Sequence, residues 1–181
     1  MTVIAAPLRL EAYFLRRART PVTRTGMGPR RSLRSRHRLG DMARLVAGVG
    51  GGLRSGVDVG DVVVASEVLA PDGTVTPCAP GLLVEDLRHA GLTVHYGPIC
   101  CVPRLGGAPG AGALAVEMES CWLAPPSGVP FAVVRAISDS VGAPLLRPSI
   151  IRNGLSALRA LQRAVPALDV WAGLHTTSEV S

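Results

Sequence analysis

The chain is expected to fold as a single α/β domain, with a mixed, mostly parallel central sheet and helices on both of its faces. Three observations lead there. Short apolar runs of β character alternate along the chain with segments whose apolar residues recur at helical spacing, the pattern of strand–helix–strand units. Of the 181 residues 48% are apolar while aromatics are only 3%, so the core has to be built from Val, Leu, Ile and Ala. That composition suits layered helices and strands better than an aromatic-rich sandwich. No internal repeat and no long linker divides the chain, and a chain of this length can bury a core of its own.

The first strand is Val3-Ile4-Ala5-Ala6, stopped by Pro7, and Leu8 to Arg17 then carries a helical pattern. Val22 to Thr25 reads as a second strand, closed by Gly26-Met27-Gly28-Pro29. Arg30 to Leu39 is a basic amphipathic segment with Leu33 and His37 four apart. Arg44 to Val49 is a strand running into a turn at Gly50-Gly51-Gly52. Gly60-Asp61 opens the buried strand Val62-Val63-Val64-Ala65, and Gly73 marks a loop tip. Leu82 to Ala90 reads as a helix, and Leu92 to Val102 as one or two strands broken at Gly97-Pro98. The Gly/Pro-rich loop from Gly106 to Gly112 precedes Leu114-Ala115-Val116, after which a short helix is halted by Pro125-Pro126. Phe131 to Ile137 is the clearest buried strand. The last helix, from about Ser149 to Val165, sets Ile151, Leu155, Leu158 and Val165 on one face.

Composition excludes several classes. The four cysteines, Cys78, Cys100, Cys101 and Cys121, show neither metal-ligand spacing nor a disulfide framework, and read as buried thiols of a reducing compartment. The arginines near the N-terminus follow the apolar stretch Val3 to Leu8 instead of preceding it, the wrong order for a secretory leader. No apolar run approaches the roughly 18 residues of a membrane span. A cytoplasmic location is expected.

The chemistry lies where polar residues follow apolar strands, because ligands of α/β folds sit at the carboxyl ends of the strands. Ala115-Val116-Glu117-Met118-Glu119-Ser120 is one such cluster and Arg135-Ala136-Ile137-Ser138-Asp139-Ser140 the other. A single carboxylate at a strand exit is more often a helix cap or a solvated loop residue. Two from separate strands, with an arginine to pair, point to a site holding two carboxylates and a guanidinium.

AVEMES followed by VPFAVVRAISDS resembles the signature of methylthioadenosine/S-adenosylhomocysteine nucleosidases and their purine nucleoside phosphorylase relatives. Glu11, Thr25-Gly26-Met27-Gly28, Gly48-Val49-Gly50-Gly51-Gly52-Leu53 and Val59-Gly60-Asp61-Val62-Val63-Val64 agree with it in the same order. Within that superfamily PLRLEA, TGMGP, MESCWLA and PLLRPS look like the hopanoid-associated branch, which acts on adenosylhopane. The resemblance implies a nucleoside phosphorylase-like domain that releases adenine from a 5′-substituted adenosine, with no cofactor and no metal. It implies a homo-oligomer, a dimer or hexamer.

Asp139 would then serve the purine's five-membered ring as general acid or hydrogen-bond relay, a role worth about 10²–10⁴-fold. An Asp protonated near neutrality needs burial or a carboxylate neighbour to raise its pKa. Glu119 would accept hydrogen bonds from the ribose hydroxyls, Met118 would pack on the sugar, Arg135 would hold Glu119, and Glu11 would orient the attacking water. Gly28, Val49, Gly50, Gly51, Leu105 and Ser138 would line the base pocket and its glycine turns. Val46 and Val49 stand where a phosphorylase pattern has phosphate-binding Arg and Ser, which favours water as nucleophile. Arg9, in Pro7-Leu8-Arg9, is the residue on the side of phosphate.

Against the family pattern the chain is somewhat shortened. The stretch between Leu105 and Ala113 is short, the helix after Glu119 is brief, and Leu105 replaces an aromatic that would stack on the base. A non-catalytic relative serving as a binding or structural subunit is the alternative these departures leave open. Nine arginines fall between positions 16 and 38. No aromatics interleave them and no binding motif accompanies them, so nucleic acid is not the expected partner. A solvated helix face is the plain reading, and peripheral contact with anionic membrane through Arg30, Arg31 and Arg34 the functional one.

Overall fold

Thirteen elements alternate along the computed structural model, which describes residues 1–104, 106–107, 112–139 and 149–176. The strands are β1 (Thr2–Ala6), β2 (Val22–Arg24), β3 (Ala43–Gly52), β4 (Val62–Leu69), β5 (Val75–Pro77), β6 (Val94–Cys101), β7 (Ala115–Glu117) and β8 (Phe131–Asp139). The helices are α1 (Arg9–Leu15), α2 (Pro29–Leu39), α3 (Leu83–His89), α4 (Ser120–Leu123) and α5 (Ser149–Thr176). Leu105 and most of the PLLRPS run lie outside the described residues.

The sheet is mixed, and it closes on itself. β3 pairs in parallel with β1 and β8 and antiparallel with β7. β8 pairs antiparallel with β4, β4 in parallel with β6, and β6 in parallel with β7. The path β3–β8–β4–β6–β7 therefore returns to β3 as a barrel, with β1 and β2 extending from one side and β5 from the other. The mixed, mostly parallel sheet with flanking helices is as expected, and its closure into a barrel is the feature the sequence did not announce. Where the strands close, their inward residues pack on one another, and Val46, Val63, Ala65, Ile99, Ala115, Val133 and Ile137 fill the interior. Residues of opposite parity, among them Leu45, Val62, Val64, Ala132 and Val134, form a second core with Leu15, Leu83, Leu87, Leu161 and Trp171 of the helices.

The glycine run expected to turn instead continues β3. A Cβ on Gly50 would lie 3.0 Å from the carbonyl oxygen of Val116, and one on Gly52 would lie 2.9 Å from that of Val57. Glycine lets neighbouring backbone approach that closely. β6 likewise runs unbroken through Gly97-Pro98. Pro98 falls opposite the irregularity between Ala65 and Val68 of β4, where the ladder needs no N–H from it. The edge strand β5 carries no apolar run and was not anticipated.

Two helix faces differ from expectation. α2 buries Ser32, Ser35 and Leu39, and Leu33 and His37 point outward. The Ser35 hydroxyl donates to the Thr25 carbonyl at 2.9 Å, so this helix is seated by a polar contact that hydrophobic spacing does not reveal. α5 extends to Thr176 through Pro166, whose ring is exposed on the outer face of the helix. Its buried stripe runs through Ala157, Leu158, Leu161, Ala164, Val165, Leu168 and Trp171, while Leu155 is 37% exposed. The Ile151 side chain lies outside the described residues.

Candidate active site

Arg135 sits on β8 directly across from Gly48 of β3. Its inward parity sends a fully buried guanidinium toward the end of the barrel where β3 and β8 finish. The absence of a side chain at Gly48 makes that possible, because a Cβ there would collide with Arg135 Nη1 and come within 2.7 Å of Glu11 Oε1. Glu117, the last residue of β7, shares the inward parity of Ala115 and pairs with Arg135 Nη2. The Ser120 hydroxyl lies 3.0 Å from the same nitrogen. Glu117 also accepts from the backbone N–H of Glu119 at 2.8 Å and of Ser120 at 2.9 Å. Removing one partner of such a buried pair costs about 3–5 kcal/mol.

Glu119 follows at the start of α4 and is 5% exposed. Its Oε1 accepts from Gly28 N–H at 3.1 Å and its Oε2 lies 3.6 Å from Arg135 Nη2. The first partner of Arg135 is thus Glu117, which the sequence reading did not single out, and Glu119 stands one step further away. An acidic residue in step with a buried alanine on a strand was the available signal. Burial pushes the Glu119 carboxyl up to about 7, against the pull of Arg135 and with help from Glu117. Gly28 is held at φ +84°, a conformation that suits glycine, as it opens α2.

Glu11 lies in the first turn of α1 and is buried. Its Oε2 accepts from Leu8 N–H at 2.6 Å and its Oε1 from Val49 N–H at 2.8 Å, which bolts α1 to β3. Burial raises its pKa, opposed by Arg135 and those two backbone donors. Around Arg135 burial works against the charged form, but Glu117, Glu119 and Glu11 outweigh it and the guanidinium stays protonated. Its Nε and Nη1 have no hydrogen-bond partner among the described residues.

Asp139 ends β8 and is half-buried. The strand slips register between Gly50 and Gly51, so Ser138 is unmatched and Asp139 faces Gly51. The Ser138 hydroxyl donates to Asp139 Oδ1 at 2.9 Å. A Cβ on Gly51 would lie 3.0 Å from Asp139 Oδ2 and 3.2 Å from Val116 Cγ1, so the carboxylate and Val116 share one side of β3. Met118 packs in the same small cluster as Val116, with Leu53, Leu69, Cys100, Val102 and Ala113. The structure thus gathers Glu11, Gly28, Val49, Gly50, Gly51, Met118, Glu119, Arg135, Ser138 and Asp139 around the ends of β3, β7 and β8. Arg9 stands apart, exposed at the start of α1, and Val46 is buried inside the barrel. Arg30, Arg31 and Arg34 lie exposed on α2.

Among the described residues no group of three or more His, Cys, Asp or Glu side chains is arranged to hold a metal. The cysteines are buried or half-buried, and burial raises the Cys78 thiol to about 12. No described helix is long and apolar enough to cross a membrane.

The closed mixed barrel with flanking helices is a fold shared with solved structures. Its particular likeness here is to 5′-methylthioadenosine/S-adenosylhomocysteine nucleosidases. The S. pneumoniae enzyme, solved with the transition-state inhibitor MT-ImmA, has a TM-score of 0.72 and 21% identity over 93% of this chain and 100% of that one. The Helicobacter pylori enzyme, with butyl-thio-DADMe-Immucillin-A, has a TM-score of 0.75 and 15% identity over 96% and 97%. The Streptococcus pyogenes enzyme, in complex with 5-methylthiotubericidin, has a TM-score of 0.75 and 20% identity over 97% and 96%. At these identities the likeness establishes the fold. No protein-family model matches the sequence, and no curated protein matches it significantly.

Proposed function

We propose that this chain is a nucleosidase that cleaves the N-glycosidic bond of a 5′-substituted adenosine and releases adenine by hydrolysis. The observation that carries the proposal is the arrangement around Arg135. Its Nη2 is held by Glu117, and its buried Nη1 has no hydrogen-bond partner among the described residues beside Glu11, with Glu119 on the same guanidinium. A buried donor of this kind holds a polar group of a ligand or a water. Solved proteins of the same fold carry adenosine-like inhibitors, which supports the substrate class.

In the reaction the C1′–N9 bond breaks and its electron pair leaves with the base, while Asp139 supplies or relays a proton to the five-membered ring. Oxygen of the attacking water bonds to C1′, and its proton passes to Glu11. Glu119, when ionised, accepts the ribose hydroxyls and places negative charge near the cationic sugar, with Met118 against it. The hydroxyl of Ser138 and the glycines at 28, 50 and 51, with Val49, give the base and sugar their close approach. The hopanoid-like segments put adenosylhopane among the substrates. The same proposal includes contact of α2 with anionic membrane and assembly of two or six copies.

Adenine release from a panel of 5′-substituted adenosines, adenosylhopane included, tests the reading. Equal rates with and without phosphate are expected, and Asp139→Asn should lower them by about 10²–10⁴-fold. Turnover that requires phosphate would assign Arg9 to phosphate and replace hydrolysis with phosphorolysis. A well-folded chain that releases no adenine from any of them would be a binding or structural subunit.

A further inference from the structure

At the opposite end of the sheet from the candidate active site, a groove of about 1370 Å³ runs between the start of β1, the turn before β2 and the last turns of α5. Arg17, Arg19, Arg159 and Arg163 line it, together with Val165, Pro166 and Val170. Val170 is 51% exposed there. The one acid lining the groove among the described residues, Asp169, has both oxygens engaged by backbone: it accepts from Arg19 N–H and Thr20 N–H, each at 2.9 Å. Arg163 donates to the carbonyls of Ala90 and Gly91 at 3.1 and 2.8 Å, contacts that position its guanidinium without neutralising it. Four arginines therefore line the groove, against a single carboxylate among the described residues.

We propose that this groove binds an extended acidic peptide segment whose carboxylates alternate with aliphatic residues. Size argues for an extended ligand, since small-molecule pockets occupy roughly 300–1,000 Å³. Arginines spaced along the groove suit carboxylates spaced along a strand-like peptide, because guanidinium forks pair with carboxylates in two-bond geometry. Aliphatic side chains would cover Val165 and Val170. No aromatic residue lines the groove on which a nucleic-acid base could stack. A concave channel also fits a flat bilayer poorly.

The test is fluorescence anisotropy with a labelled ten-residue peptide of alternating Glu and Val, added to the full chain at low and moderate salt. Saturable binding that weakens with salt is expected, and Arg17→Glu with Arg159→Glu should weaken it at least tenfold. A control variant with Arg30→Glu and Arg31→Glu on α2 should leave it unchanged, and circular dichroism should show that both variants keep the fold. Equal loss in both variants would reduce the effect to general attraction by a basic protein and overturn the proposal. No saturable binding, or tighter binding of a single-stranded oligonucleotide of equal charge, would overturn it as well.

Discussion

Glu119 receives N–H bonds from Gly28 and Met118, yet burial still holds its carboxyl near pKa 7, above the ordinary 4.5. Between those values the folded chain keeps a proton that the unfolded chain has released. Stability contributed by this group is therefore fully present below about pH 4.5 and declines as pH rises to about 7. Glu119→Gln cannot titrate, so its urea midpoint should fall less than that of the parent between pH 5 and pH 8. Glu11 is shifted in the same direction and preserves part of the slope. Identical slopes in the two proteins would place the Glu119 carboxyl outside that window. At this scale Glu119, Arg135 and Asp139 were legible because charged residues stand out beside apolar strands, and Glu11 only through the family resemblance. Glu117 and Arg44 were not. Both are buried charges with a partner distant in sequence, Arg135 for one and the Leu123 carbonyl for the other.

Among the elements, those marked by a local period were the readable ones: β1, β8 and α3 fall within a residue or two of the runs that announce them. Elements whose limits depend on tertiary approach were not. β3 continues through glycines because β7 comes close, and α5 continues past Val165 because its far half covers the sheet through Leu168 and Trp171. α2 is the case with a functional consequence. With Ser32, Ser35 and Leu39 turned inward, Arg30, Arg31 and Arg34 are all exposed and Leu33, 40% exposed, stands among them. An arginine near an anionic bilayer contributes about 1 kcal/mol, so three should change affinity by roughly 100-fold. Cosedimentation with vesicles containing phosphatidylserine, but not with phosphatidylcholine alone, is the expected result for the parent chain. Neutralising the three arginines should abolish it. Equal cosedimentation of that variant would remove α2 from any membrane role.

For the whole molecule, barrel closure was beyond sequence patterning, because inward and outward residues alternate alike in an open and in a closed sheet. Closure determines where the chain can be completed by another. Past the ends of β1 and β2 the Gly26 N–H donates to the Pro7 carbonyl at 3.1 Å, and Leu8 and Met27 are the residues that follow those two. Leu8 is 37% and Met27 45% exposed, and Leu10 and Tyr13 of α1 are exposed nearby in sequence. An apolar rim at the mouth of a polar site is a surface that a second copy of the chain would cover. Covering it would also limit bulk water at the half-buried Asp139, where a drier environment strengthens the charge interactions that the proposed reaction needs. Sedimentation velocity should accordingly give a mass of two or six chains at assay concentrations. Leu8→Asp with Met27→Asp should shift it toward the 18.8 kDa single chain and lower adenine release in parallel. If the dispersed variant turns over substrate as fast as the parent, the site is complete within one chain and assembly serves another purpose.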